Sequence, residues 1–420
     1  MIKNIFPPII RTYVQSISLY FGASLIPMIL NLISNPLIAM NMTPTDYAIT
    51  GYYTSFSNLL SPLIIFYMLH YYTKRYFEVN DEERINLKAT LLKSLIYFSG
   101  FISIISLVIL CIYIKIYNST SDIPLMPYVA LSVLSLPLTG VYSLLLIDLR
   151  MSRNSKVFFY ISVFNGVLLI VFTLFFVVIL KLGALGKLLA PFLNNLIFFW
   201  WACYKYKSLF QIKFNKNLFK TILKFCAPLT LAAMLGFFSN GYDRVFLERL
   251  GNTNELGFYV VGVQIAGYIT VFQNALGATF QPDIFQAIAE KKYRKLIKIS
   301  LMLIGSITLI VILFIIASPI IIDILTAGRY MQSVKYTQII ALSTITSAIY
   351  YTVSQATIAL GKSYITLFNK ILTSLISILL FSILINRFQF NGAAWGLVCS
   401  FLISAVGNLL LLAIPANKKK

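Results

Sequence analysis

The stretch Lys205–Lys224, KYKSLFQIKFNKNLFKTILK, carries six lysines (205, 207, 213, 216, 220 and 224) and no acid. On each side of it lies a block of about two hundred residues that is almost wholly apolar. Lysines that flank apolar spans stay on the interior-negative side of a membrane and against anionic lipid. A basic stretch that bisects such a chain is therefore read as a cytoplasmic linker between two membrane lobes. Taken alone it would be an ordinary solvated loop. Its midpoint position, and a likeness between the two halves, favour the linker.

Outward from that linker, apolar residues make up 59% of the chain and charged residues 11%, where a soluble domain carries about 25% charged. The mean hydropathy is +0.84. Apolar runs of about twenty residues recur along the chain, each long enough to cross the ~30 Å hydrocarbon layer. The fold expected is an all-α polytopic membrane protein with twelve transmembrane helices. Six lie in an N-terminal lobe (1–204) and six in a C-terminal lobe (222–420), with the linker at 205–221. Pro27, Pro62, Pro137 and Pro228 interrupt helices in both lobes, which suits bundles that bend.

The net charge of +21 is concentrated in short loops between spans, which argues against nucleic acid as a partner. With the N-terminus inside, 25 of the 34 basic residues fall on the cytoplasmic side and 8 on the other, with Lys370 inside a span. That bias places both termini in the cytoplasm. The start, MIKNIFPPIIRTY, lacks a small-residue cleavage site and leads into the first span rather than forming a removed signal. Cys111, Cys203, Cys226 and Cys399 fall in or beside apolar spans without a CxxC pair, so neither disulfide nor zinc is expected. No GxxxxGK[ST] loop is present, so ATP is not expected to drive the protein directly. One histidine, no Ser/His/Asp or metal-ligand cluster, and outer loops of about a dozen residues argue against an enzyme. No cofactor is expected.

The halves match at three places in order. Thr45-Asp46-Tyr47 corresponds to Asn254-Glu255-Leu256. Ile161-Ser162-Val163-Phe164-Asn165 corresponds to Ile365-Thr366-Leu367-Phe368-Asn369. Gly183-Ala184-Leu185-Gly186 corresponds to Gly392-Ala393-Ala394-Trp395-Gly396. Six spans per half would make these parallel, pseudo-symmetric repeats. In that alignment Lys370 stands where Gly166 stands, and Asp243-Arg244 where Ser34-Asn35 stands.

The acid before a long second span (TPTDYAITGYY and TNELGFYVVGV), the run CAPLTLAAMLGFFSNGYDRVFLERLG, the Gly-rich turns before spans six and twelve, and Pro282 resemble the polysaccharide (O-antigen, Wzx-type) flippases. These belong to the superfamily that also holds multidrug/toxin extruders and lipid II flippases. The resemblance covers essentially the whole chain. It implies a MATE-like, V-shaped pair of lobes around a central cavity in a bacterial inner membrane. It also implies transfer of a polyprenyl-diphosphate-linked oligosaccharide from the cytoplasmic to the periplasmic leaflet. Membrane lipids, a glycan polymerase and a chain-length regulator are the partners that go with it.

Such a cargo needs cations along its path, because a bare diphosphate in hydrocarbon is prohibitive. Arg11, Lys74, Arg75, Arg150 and Lys370 are the candidates near the cytoplasmic mouth, and Arg244 near the outer one. Lys370 either lines the cavity or snorkels to the headgroups. Asp243 beside Arg244, and Asp148 near Arg150, are read as neutralising pairs or as gating groups. His70 is read as a pH-sensitive group or a plain interfacial residue. Mid-span Asn and Gln, among them Asn165, Asn194, Asn195, Gln273, Gln355 and Asn369, either meet sugar hydroxyls or pin helix to helix. Coupling to an ion gradient is expected. The rival is a cation-coupled drug exporter of the same fold. That would need a buried carboxylate, and the acid found within a first-lobe span is Asp148, near its rim.

Overall fold

A computed structural model describes residues 8–117 and 123–413, with side chains from Ser18 onward apart from positions 117, 239, 240, 278, 282, 363 and 413. The described residues are helical throughout, without a strand. That is what lipid demands, since a helix satisfies every backbone polar group within itself.

The chain divides into two compact units. The first takes residues up to Met42, Phe56–Ser119 and Pro124–Leu231. It holds α1 (Pro8–Met40), the C-terminal part of α2 (Pro44–Ile65), α3 (Met68–Arg75), α4 (Asp81–Tyr117), α5 (Tyr128–Met151), α6 (Ser155–Leu174) and α7 (Gly183–Lys205). It also holds the start of α8 (Lys216–Asn240). α1 packs on α6, and α5 lies between α4 and α7. Met68, Tyr72, Leu91, Leu95, Leu144, Phe198 and Ile222 form its core. The basic linker folds as a short 3-10 turn, Lys207–Gln211, tied back by Lys93, whose Nζ donates to the Ile212 carbonyl at 2.5 Å.

The second unit takes Thr43–Ser55 and the chain from Ala232 onward. It holds α9 (Tyr242–Glu248), α10 (Thr253–Gly267), α11 (Ile269–Ala289), α12 (Tyr293–Thr326), α13 (Val334–Ala359) and α14 (Ser363–Ala413). α13 is its axis, packed against α10, α11, α12 and α14. α14 is two arms that meet at Gln389, whose φ of 50° breaks the helix.

Eight stretches among the described residues are long and apolar enough to cross a membrane. The last of them, Tyr364–Leu412, contains both arms of α14. The segments α2–α3, α7 and α13 fall short of the same hydropathy. Their sequences explain it: α2 and α13 are studded with Ser and Thr, and α7 carries Asn194 and Asn195. Many of these are buried, as Ser55, Asn194, Thr337 and Thr344 are. Helices that meet other helices tolerate such residues where lipid-facing ones do not.

Candidate functional site

In the first unit the polar residues gather where α2 ends. Phe66 and Tyr67 both take left-handed backbone, φ 54° and 51°, which costs an L-residue about 1–2 kcal/mol. The break is held by packing: Phe66 meets Phe98 edge-on at 5.6 Å, and Tyr67 stacks on His70 at 4.6 Å. It redirects the chain into α3. Tyr71 then packs on Phe225, and the Lys74 ammonium lies 4.6 Å over the same ring. Arg75 pairs with Glu78 at 2.8 Å at the surface.

Asp148, near the end of α5, is fully engaged. It accepts from the Tyr72 hydroxyl at 2.6 Å, the Tyr206 hydroxyl at 2.9 Å and the Lys88 Nζ at 2.7 Å. Burial and the adjacent Asp148 charge push the Tyr206 phenol upward, which keeps it a donor. The ion partner of Asp148 is thus Lys88 from α4. Arg150 instead lies with its guanidinium 5.3 Å over the Phe158 ring. A cavity of about 400 Å³ opens between the end of α2, α3 and α5, and His70 and Arg150 both line it.

In the second unit Asp243 is fully buried. One carboxylate oxygen accepts from the Tyr259 hydroxyl at 2.6 Å, and the other finds no donor among the described residues. Arg244 does not pair with it. Consecutive residues of a helix point to different faces, and the Arg244 guanidinium turns to the Ser55 hydroxyl at 3.5 Å, its Nε without a partner among the described residues. At the start of α10, Glu255 accepts from the Lys335 Nζ at 2.9 Å and from the Tyr336 hydroxyl.

Lys370 lies in the first arm of α14, half-buried, with its ammonium 5.7 Å from the centre of the Tyr350 ring. It makes no ion pair among the described residues. Its neighbour Asn369 is buried and donates to the Ser404 carbonyl at 2.8 Å, joining the two arms. Several mid-span amides likewise bond across helices: Asn195 to Ser135 at 2.8 Å, Gln273 to Ser347 at 3.0 Å and Gln281 to Gln355 at 3.0 Å.

Of the residues singled out in the sequence, His70 and Arg150 share one cavity, with Lys74, Arg75 and Asp148 on the same two elements. The side chain of Arg11 and the lysines 418–420 lie outside the described residues. Sequence reasoning missed the donors around the two acids: Tyr72, Lys88 and Tyr206 for Asp148, and Tyr259 for Asp243. The partners of Asp148 are 58 to 76 positions away, so no local spacing could have revealed them.

This is a multi-pass helical membrane protein with the fold of the MOP superfamily transporters. A multidrug resistance MATE family transporter in its inward-facing conformation aligns with a TM-score of 0.69 over 93% of this chain and 97% of its own, at 15% identity. The lipid II flippase MurJ, inward closed, aligns at 0.72 over 94% of this chain and 87% of its own, at 14% identity. A Lsg locus protein of Haemophilus influenzae is 27% identical over 111 residues, a match that spans 25% of this chain and 28% of that relative. The chain belongs to the polysaccharide biosynthesis protein family, whose profile matches residues 13–288.

Proposed function

We propose that the protein is a flippase that moves a polyprenyl-diphosphate-linked oligosaccharide, an O-antigen or other surface repeat unit, from the cytoplasmic to the periplasmic leaflet of a bacterial inner membrane. One observation carries the choice of an anionic cargo. Beside the cavity in the first unit the carboxylate is engaged: Asp148 accepts from three donors of its own. Arg150 and Lys370 instead rest on aromatic rings, Phe158 and Tyr350. A cationic drug would need the reverse, a carboxylate without a resident donor. An interior-negative potential would also favour export of the anionic head by about 2.3 kcal/mol per charge per 100 mV.

In this reading α2–α3, α7 and α13 cross the membrane along with the eight apolar stretches, and α14 crosses twice. That makes twelve crossings, in lobes 1–204 and 222–420, with the linker 205–221 and both termini in the cytoplasm. Ion coupling is part of the reading, and the buried Asp243 oxygen that meets no donor among the described residues supports it as the coupling group. Arg244 is placed at the outer mouth. A glycan polymerase and a chain-length regulator would act on the product.

The test is deletion of the gene in its native host. Lipid-linked repeat units should accumulate on the cytoplasmic leaflet, and the chain supplied in trans should clear them. Normal display of surface polysaccharide with hypersensitivity to cationic drugs would select the drug exporter instead. Coupling fails if flipping in vesicles persists undiminished with the potential and every ion gradient collapsed.

A further inference from the structure

The cavity at the α2–α3 break has a chemistry that its position alone does not explain. Its polar groups are Ser61, Tyr67, His70, Ser143 and Arg150, set against an apolar wall that includes Leu146. Its volume of about 400 Å³ falls in the range of small-ligand sites. The two strongest donors are held in the same manner. Arg150 has its guanidinium over the Phe158 ring, and His70 has its ring stacked on Tyr67 at an interplanar angle of 29°. A guanidinium resting on an aromatic ring keeps N–H groups for a ligand, and the imidazole carries a ring N–H in either protonation state. The nearest interior carboxylate, Asp148, is already held by Lys88, Tyr72 and Tyr206, and Arg150 makes no ion pair among the described residues. A guanidinium, an imidazole and three hydroxyls beside a greasy wall match a phosphate group carried on an apolar chain. The guanidinium fork grips phosphate oxygens, and the wall takes the first carbons of the chain.

We propose that this cavity, built within the first unit, is the loading site for the diphosphate of the lipid-linked cargo. Arg150 is its principal anion-binding residue, and His70 a second donor placed by the left-handed turn at Phe66 and Tyr67. The assignment rests on the flippase reading above and narrows it to one site.

The test uses the purified full-length chain in phosphatidylcholine nanodiscs, with farnesyl diphosphate as the probe. Farnesyl diphosphate should bind, and R150Q should weaken it by about tenfold or more, the loss of one charge-assisted contact. H70Q should weaken it less. L146W leaves the charges in place and fills the cavity, so it should also abolish binding and serves if R150Q does not fold. Inorganic diphosphate should bind more weakly than the prenyl form, and a tenfold excess of phosphatidylglycerol should not displace the probe. Unchanged affinity in both R150Q and L146W overturns the site. Displacement by phosphatidylglycerol overturns the cargo assignment in favour of a bulk lipid headgroup, and equal binding of inorganic diphosphate removes the role of the apolar wall. If deletion of the gene traps cargo while R150Q and L146W both restore flipping, the site is wrong and the flippase reading stands. If deletion traps no cargo, the reading itself fails.

Discussion

The Thr45 hydroxyl donates to the Asn254 side-chain oxygen at 3.1 Å, across 209 positions of sequence. That is the offset at which TDY in the first turn of α2 matches NEL in the first turn of α10, so two residues equated by the internal repeat bond to each other. Gly51 and Val260 stand at the same offset, and a Cβ on Gly51 would come within 2.3 Å of the Val260 side chain. Self-pairing of equivalent positions is what a two-fold relation produces. Within the second unit, then, the starts of α2 and α10 pack about a local axis of the repeat.

Gly257 makes that packing close. A Cβ there would lie 1.9 Å from the Pro44 carbonyl oxygen, and backbone cannot rotate away as a side chain can. G257A should therefore cost about 1–3 kcal/mol through overpacking. N254A removes one exposed hydrogen bond and should cost about 1 kcal/mol or less. Thermal unfolding in detergent, read by tryptophan fluorescence, ranks the two. Equal midpoints would mean that α2 and α10 do not meet this tightly.

Around Asp148 the order of losses follows from who is left unpaired. D148L strands the Lys88 ammonium and two phenols, and Lys88 is only 19% exposed. Breaking such a pair from one side costs about 3 kcal/mol. K88M leaves the carboxylate with its two tyrosine donors and should cost less. The K88M/D148L double variant should recover part of the D148L loss, and a double-mutant cycle by chemical denaturation measures it.

Glu255 offers the opposite case. Lys335 is 53% exposed, so K335A should cost less than about 1 kcal/mol and salt should erase the difference. Y336F removes a donor from the half-buried side of the same carboxylate and should cost about 1–1.5 kcal/mol regardless of salt. Denaturation midpoints at low and high salt separate them.

The sequence carried the class and the pairing of TDY with NEL. It did so because apolar runs, loop lysines and the paired Gly motifs are local signals. The structure supplies the reason for the glycines: a Cβ on Gly186 would lie 2.9 Å from the Phe176 backbone, and one on Gly396 2.5 Å from the Phe381 ring. Both admit the preceding helix at close range. The broken helices were less legible. Pro62 marked a break in the second span, yet the turn falls at Phe66 and Tyr67, which nothing in their side chains announces. The meeting of the α14 arms at Gln389 is equally silent, since glutamine has no preference for φ of 50°. Of the two readings of Asp243 and Arg244, a neutralising pair or a gate, the first does not form, because adjacency along a helix separates their side chains.

Lys370 and Asn369 give the sharpest division between function and structure. Gly166 in the first unit admits Pro27, whose Cβ would lie 2.5 Å from a Cβ there. At the matching position of the second unit stands Lys370. Its stem runs beside Gly236, the repeat equivalent of Pro27, where an added Cβ would sit in contact, 3.4 Å from the lysine Cε. A mid-span charge costs about 2.5–3.5 kcal/mol to insert, and this one lies against the Tyr350 ring. If Lys370 serves the anionic cargo, K370A should lower flipping by about tenfold or more, K370R should retain most of it, and neither should lower thermal stability. G236L crowds the same stem and should reproduce the flipping loss with Lys370 intact. N369L should do the reverse. It removes the buried amide bond that joins the two arms of α14 and should lower stability by about 1 kcal/mol. Flipping in proteoliposomes, scored beside thermal midpoints, decides: full activity in both K370A and G236L would remove Lys370 from the transport path.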